Sequence, residues 1–134
     1  MKRRALLPAC AALLAWGAHA QPACPHASEV DAAALLGRWR AEFVGTGPAG
    51  TLLLEKHPLY AESVSGTVDR DGERRRLAGD IEDGDFTLEE SADGQHIAAT
   101  WLGEVVEGSC GREIRGSWKA EGAAAGHDFV LRKD

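Results

Sequence analysis

The chain has 134 residues, with 15 Lys and Arg against 21 Asp and Glu and a formal net charge of -6. That excess of carboxylates excludes a phosphate-backbone partner, because nucleic-acid recognition needs clustered Lys and Arg. After the N-terminal segment no apolar run approaches the roughly 18 to 20 residues of a membrane span. The length suits one small domain.

The first 20 residues have the order of a secretory signal peptide: Lys2, Arg3 and Arg4, a mostly apolar run from Ala5 to Gly17, and small residues at Ala18-His19-Ala20. Residues 1–20 are therefore expected to be removed, and the product to be periplasmic or secreted. Without Lys2, Arg3 and Arg4 the 15 basic side chains become 12 against 21 acidic, a net charge of about -9. Cys10 leaves with the signal, which keeps Cys24 and Cys110 as one pair in an oxidising compartment. A single disulfide between them is the expected outcome. The competing reading is a nucleophilic thiol on the small-residue turn Gly108-Ser109-Cys110-Gly111.

Residues 21–36 read as an arm and a short helix, with Ser28 as its cap, Asp31 completing a capping-box variant and Gly37 as the stop. From Gly37 the apolar period becomes 2. Trp39, Ala41 and Phe43 alternate with Arg38, Arg40 and Glu42, the pattern of a strand with one dry face. The pattern returns at about 51–56, 62–69, 74–82, 85–90, 96–106, 113–120 and 127–133. Asp71-Gly72, Asp83-Gly84 and Asp93-Gly94 are hairpin-turn pairs. Eight short strands joined mostly by tight hairpins predict an all-β fold over 37–134, an eight-stranded antiparallel up-and-down β-barrel, in which closure removes exposed edges. A sandwich is the alternative. Gly66, Gly79, Gly103 and Gly116 each stand two residues before an apolar one on the same strand face, as bends in a tightly coiled barrel require.

Assigning the apolar parity inward gives a face nearly free of hydrogen-bonding groups. It includes Trp39, Phe43, Phe86, Ile97, Trp101, Trp118 and Phe129. An eight-stranded barrel either fills with its own side chains or holds one small ligand, and both readings stay open here. Arg75, Glu90 and Asp128 are read near the strand ends, as a solvated rim or as the polar lip of an open mouth.

The short helix running into Gly37-Arg38-Trp39 resembles the G-x-W start of the calycin barrels, the superfamily of lipocalins, fatty-acid-binding proteins and avidins. The resemblance implies that a basic residue of the last strand, Arg132 or else Lys133, covers the Trp39 indole. Ala98-Ala99-Thr100-Trp101-Leu102-Gly103, the strand from Ile114 to Trp118 and Gly126-His127-Asp128 are similar in order to the avidin and streptavidin type. By that resemblance Trp101, Trp118 and Asp128 line a pocket. Ala41, Val68, Ile97 and Ala99 stand where that family has the polar side chains that hold biotin, so the biotin-ligand set is missing.

The expectation is an exported, monomeric barrel that binds a small, mostly apolar or aromatic ligand through Trp39, Phe43, Phe86, Trp101, Trp118 and Asp128. The alternative is a periplasmic protein-binding module, for example an inhibitor of a cell-wall hydrolase, acting through the Gly45 to Gly50 or Lys56 to Glu62 connection on a filled barrel. His26, His57, His96 and His127 lack compact metal spacing, and no nucleophile elbow or phosphate loop is present. Neither an enzyme nor a cofactor or metal is expected.

Overall fold

Strand alternation and turn chemistry act together along this chain. The computed structural model describes residues 23–45 and 50–134, with residues 5 and 10–12. The expected signal segment thus lies almost wholly outside the described residues, as do residues 46–49 of one candidate connection. Eight strands form a closed antiparallel up-and-down barrel: β1 (Gly37–Phe43), β2 (Gly50–Lys56), β3 (Ser63–Arg70), β4 (Glu73–Glu82), β5 (Asp85–Ser91), β6 (Ala99–Val105), β7 (Glu113–Ala120) and β8 (His127–Lys133). The first and last strands close it in the register Trp39↔Lys133, Ala41↔Leu131 and Phe43↔Phe129. Among the described residues no helix is long and apolar enough to cross a membrane.

Two of the three Asp-Gly pairs make the tight turns their chemistry suggests. Asp71 and Gly72 (φ 54° and 75°) join β3 to β4, and Asp83 and Gly84 (φ 50° and 84°) join β4 to β5. Successive positive φ values give the turn twist that matches the strands. The third pair behaves differently, because β5 ends at Ser91 and β6 begins only at Ala99. There the Asp93 carboxylate accepts the backbone N–H groups of Gln95 and His96, each at 2.8 Å, and folds the connection around itself. The backbone bond from His96 is the largest influence holding the Asp93 carboxyl far below its ordinary range. Ile97 falls in this connection and is exposed, where alternation had put it on the inner face.

The in-strand glycines do bend the wall. A Cβ on Gly79 or Gly116 would fall inside the van der Waals shell of the carbonyl oxygen of Thr87 or Leu102 on the adjoining strand. Only glycine permits that approach.

One end of the barrel is plugged by the N-terminal arm. Its 3₁₀ turn (Ala27–Glu29) leads into a single α-turn, α1 (Ala32–Leu35). Asp31 caps that turn by accepting the Ala34 N–H at 3.0 Å, so the cap is Asp31 and not Ser28. Leu35 is fully buried and its carbonyl accepts the Trp39 Nε1–H at 2.8 Å. Lys133, with its Nζ 5.9 Å from the Trp39 ring centroid, donates to the Ala34 carbonyl at 2.7 Å. The expectation of Arg132 over this indole is thereby corrected. Phe129 and Leu131 point inward, so Lys133 shares their face, while Arg132 points outward to Glu42 and Glu113.

Cys24 and Cys110 form a disulfide across 86 residues, with Cα atoms 4.6 Å apart, which removes the free thiol of the competing reading. It ties the arm to the β6–β7 connection. Beside it the Glu107 carboxylate accepts the Ala27 N–H and pairs with His26 Nδ1, each at 2.8 Å. These bonds draw the Glu107 carboxyl below its usual range, the Ala27 N–H having the largest effect, and the hydrogen bond to Glu107 raises His26.

Candidate functional site

The end opposite the arm carries the arrangement that periodicity alone did not disclose. Phe86, Leu88 and Glu90 alternate inward along β5, and all three are buried. Glu90 has no exposed surface. A carboxylate can occupy such a position only if its oxygens are well hydrogen-bonded, and here they are. Its Oε2 accepts the indole N–H of Trp101 and that of Trp118, each at 3.0 Å. Its Oε1 accepts from Arg70 Nη2 at 2.9 Å, and the second Arg70 nitrogen reaches Oε2 at 3.5 Å. Arg75 Nε stands 3.7 Å from Oε1.

Position in the barrel explains this convergence. Trp101 and Trp118 are direct cross-strand partners on β6 and β7, and Trp101 also faces Leu88 of β5. Their indole N–H groups are thus aimed at the next inward residue of β5. Arg70 ends β3 two residues past inward-facing Val68, and the tight turn returns the chain through Arg75. Glu90 consequently joins β3, β5, β6 and β7 through one side chain.

Aromatic rings complete the cluster. Phe43 lies 5.5 Å from Trp101 and 5.9 Å from Trp118 between ring centroids, and Phe129 packs edge-on against Trp101 at 5.0 Å. The Arg70 guanidinium sits 4.9 Å from the centroid of Trp118 and 5.7 Å from that of Phe43. It lies over these ring faces at the mouth. Among the described residues no buried side-chain polar atom lacks a hydrogen-bond partner. The cluster therefore requires no ligand to satisfy it.

Of the residues singled out from sequence, Phe43, Trp101 and Trp118 come together at this mouth. Trp39 is at the plugged end, and Phe86 is buried beside Gly103 and Ile81, away from the mouth cluster. Asp128 is exposed and lies opposite Ser117. Its neighbour Phe129 points inward, so alternation turns Asp128 outward, away from the interior. Arg75 is partly exposed at the mouth, as a rim residue would be, whereas Glu90 belongs to the core. Arg70 was hidden because Asp69-Arg70-Asp71-Gly72 reads as a turn. Its one sequence signal is the two-residue step from Val68.

The surface offers a second feature. The β2–β3 connection, residues 57–62, presents Leu59 (79% exposed) and Tyr60 (64%). His57 Nδ1 accepts the backbone N–H groups of both, each at 3.1 Å, and its ring lies 4.9 Å from that of Tyr60. The His57 ring thus folds the start of the loop back on itself through local side-chain-to-backbone bonds.

The chain matches no protein-family model and no curated protein.

Proposed function

We propose that this chain is an exported, monomeric protein-binding module, of the sort that inhibits a hydrolase, built on a calycin-like barrel whose interior serves as scaffold. The observation that carries this reading is the 57–62 loop, which presents Leu59 and Tyr60 outward with its start folded back on the His57 ring. An exposed aromatic and aliphatic pair on backbone ordered before binding loses less entropy on association and suits the centre of an interface. The filled mouth supports the same reading, because Glu90 and Arg70 occupy the space an interior ligand would need. Kinship with the calycins is supported by Gly37-Arg38-Trp39 under a helical turn, with Lys133 across the indole.

Affinity capture from periplasmic extract tests it, using the wild-type chain beside a Leu59→Ser/Tyr60→Ala variant. Both side chains are largely exposed, so the variant keeps its fold. The expected result is one specific protein retained by the wild type at moderate salt, with at least tenfold weaker retention by the variant. Absence of a retained protein, or equal retention by both chains, overturns the proposal.

A second reading, a binding protein for a small and mostly apolar or aromatic molecule, has one observation in its favour. Phe43 and Trp118 keep half-buried faces around Arg70 at the mouth. Such a ligand would displace the guanidinium and lie against those rings. It predicts a tryptophan emission change with some member of a panel of lipids and aromatic metabolites, and a larger one in Arg70→Ala. Unchanged emission from both chains, together with a clean apo mass of the exported protein in native mass spectrometry, excludes it.

A further inference from the structure

The outer face of β4, β5 and β6 gathers carboxylates that, among the described residues, have no cation beside them. On other parts of the wall several carboxylates are paired. Asp69 holds Arg74 at 2.9 Å, and Arg132 joins Glu42 at 2.9 Å and Glu113 at 3.1 Å. On this face Asp85 stands directly opposite Glu82 of β4 and also directly opposite Glu104 of β6. Like charges at opposed positions of an antiparallel pair are destabilising. Asp80 and Glu89 extend the same surface. Among the described residues none of these five carboxylates has a cation within 4.0 Å. Arg115, the cross-strand neighbour of Glu104, lies 3.5 Å from Glu113 instead.

The face also carries shallow, open grooves. A groove of about 490 Å³ is lined by Asp85, Thr87, Leu102, Glu104 and Arg115. A second, of about 200 Å³, is lined by His57, Tyr60, Asp80, Thr87 and Glu89. Thr87 borders both, so the two adjoin there, one edged by the exposed Leu102 and the other by Tyr60 of the 57–62 loop. This is an unpartnered sheet surface with apolar edges, a carboxylate lining and continuity with the loop proposed to bind.

We infer that this groove receives a cationic, Lys- or Arg-bearing extended segment of the partner protein. The inference rests on the protein-binding reading and adds the partner's chemistry to it. The sign of the charge selects the occupant. A second copy of the chain, with net charge -6 and the same acidic face, is repelled, and so is any polyanion. An extended segment with a cation at every second position repeats at about 6.8 Å, the same-face spacing of Asp80 and Glu82 along β4. Its cations relieve the repulsion around Asp85, while its intervening side chains meet Leu102 and Tyr60. Association is steered by the net negative field and weakens with salt.

The probe is a fluorescein-labelled decapeptide alternating lysine and threonine, with a glutamate and threonine peptide as control. It is titrated into the exported chain by anisotropy and mapped by amide chemical shifts. Saturable binding of the lysine peptide alone is expected, with the largest shifts at Thr87, Leu102 and Gly103. Asp85→Asn/Glu89→Gln/Glu104→Gln is expected to weaken it at least tenfold. Glu29→Gln/Glu55→Gln/Glu121→Gln removes the same charge elsewhere and is expected to change it less than twofold. Equal losses in both triple variants, shifts centred outside the groove, or no binding overturn the inference. So does a wild-type dimer in sedimentation that the groove variant abolishes. A partner captured through Leu59 and Tyr60 but held equally by the groove variant removes this inference and leaves the protein-binding reading standing. Failure to capture any partner removes that reading itself.

Discussion

Glu90→Ala is expected to lower the stability of the barrel by about 3–5 kcal/mol, the range for breaking a buried ion pair from one side. The loss has three sources. The Arg70 guanidinium, 18% exposed, keeps its charge without a counter-ion. The indole N–H groups of Trp101 and Trp118 lose their shared acceptor, and a cavity opens between the rings. Glu90→Gln preserves the volume and one acceptor oxygen, but its amide N–H₂ must face either the indole donors or Arg70. An intermediate loss of about 1–3 kcal/mol follows from leaving those donors opposed. Arg70→Leu/Glu90→Leu removes both charges together, and is expected to be less destabilised than Glu90→Ala, because apolar replacement of a buried pair is often tolerated. Urea titrations followed by tryptophan fluorescence measure all three. A Glu90→Ala midpoint indistinguishable from wild type would show that the cluster contributes nothing to holding β3, β5, β6 and β7 together.

The strand order and nearly all strand limits were legible because each depends on local chemistry: period 2, the Asp-Gly turns and the in-strand glycines. The exception is β6, which starts at Ala99, three residues later than alternation alone indicated. There the Asp93 side chain captures the backbone of residues 95 and 96 before the ladder can begin. The site was less legible for a different reason. Parity correctly put Glu90 on the inner face, yet a charged residue near a strand end normally faces water. What makes it a core residue is the meeting of two indole N–H groups and a guanidinium from three other strands, a tertiary fact with no local signature. Arg70 was masked by the turn motif around it. Asp128 and the choice between Arg132 and Lys133 were decidable from alternation with Phe129 and Leu131. The family resemblance left Arg132 and Lys133 both open and turned Asp128 inward, whereas alternation takes Lys133 in and Asp128 out. The 57–62 loop was legible as a projecting connection. Its folded-back start depends on His57 accepting two N–H groups, which spacing does not reveal.

Cys24→Ser/Cys110→Ser is expected to reduce stability by about 3–4 kcal/mol while leaving the barrel folded at room temperature. Chain entropy supplies most of that figure, since the bond closes 86 residues and restricts the unfolded chain strongly. The native arm has other attachments. Leu35 and Val30 are buried, Glu107 accepts the Ala27 N–H, and Lys133 is bonded to the Ala34 carbonyl. The plug therefore stays seated when the disulfide is absent, and the Trp39 Nε1–H bonded to Leu35 remains protected from hydrogen exchange. Two measurements separate the effects. If the bond acts through the unfolded state, the variant's urea midpoint falls and its denaturant slope rises, because the uncrosslinked chain exposes more surface on unfolding. If the bond instead holds the arm in place, Trp39 exchange accelerates in the variant under native conditions, and the plug opens before the barrel does. An unchanged midpoint would refute both, and would mean that the arm's own burial and hydrogen bonds suffice to close that end of the barrel.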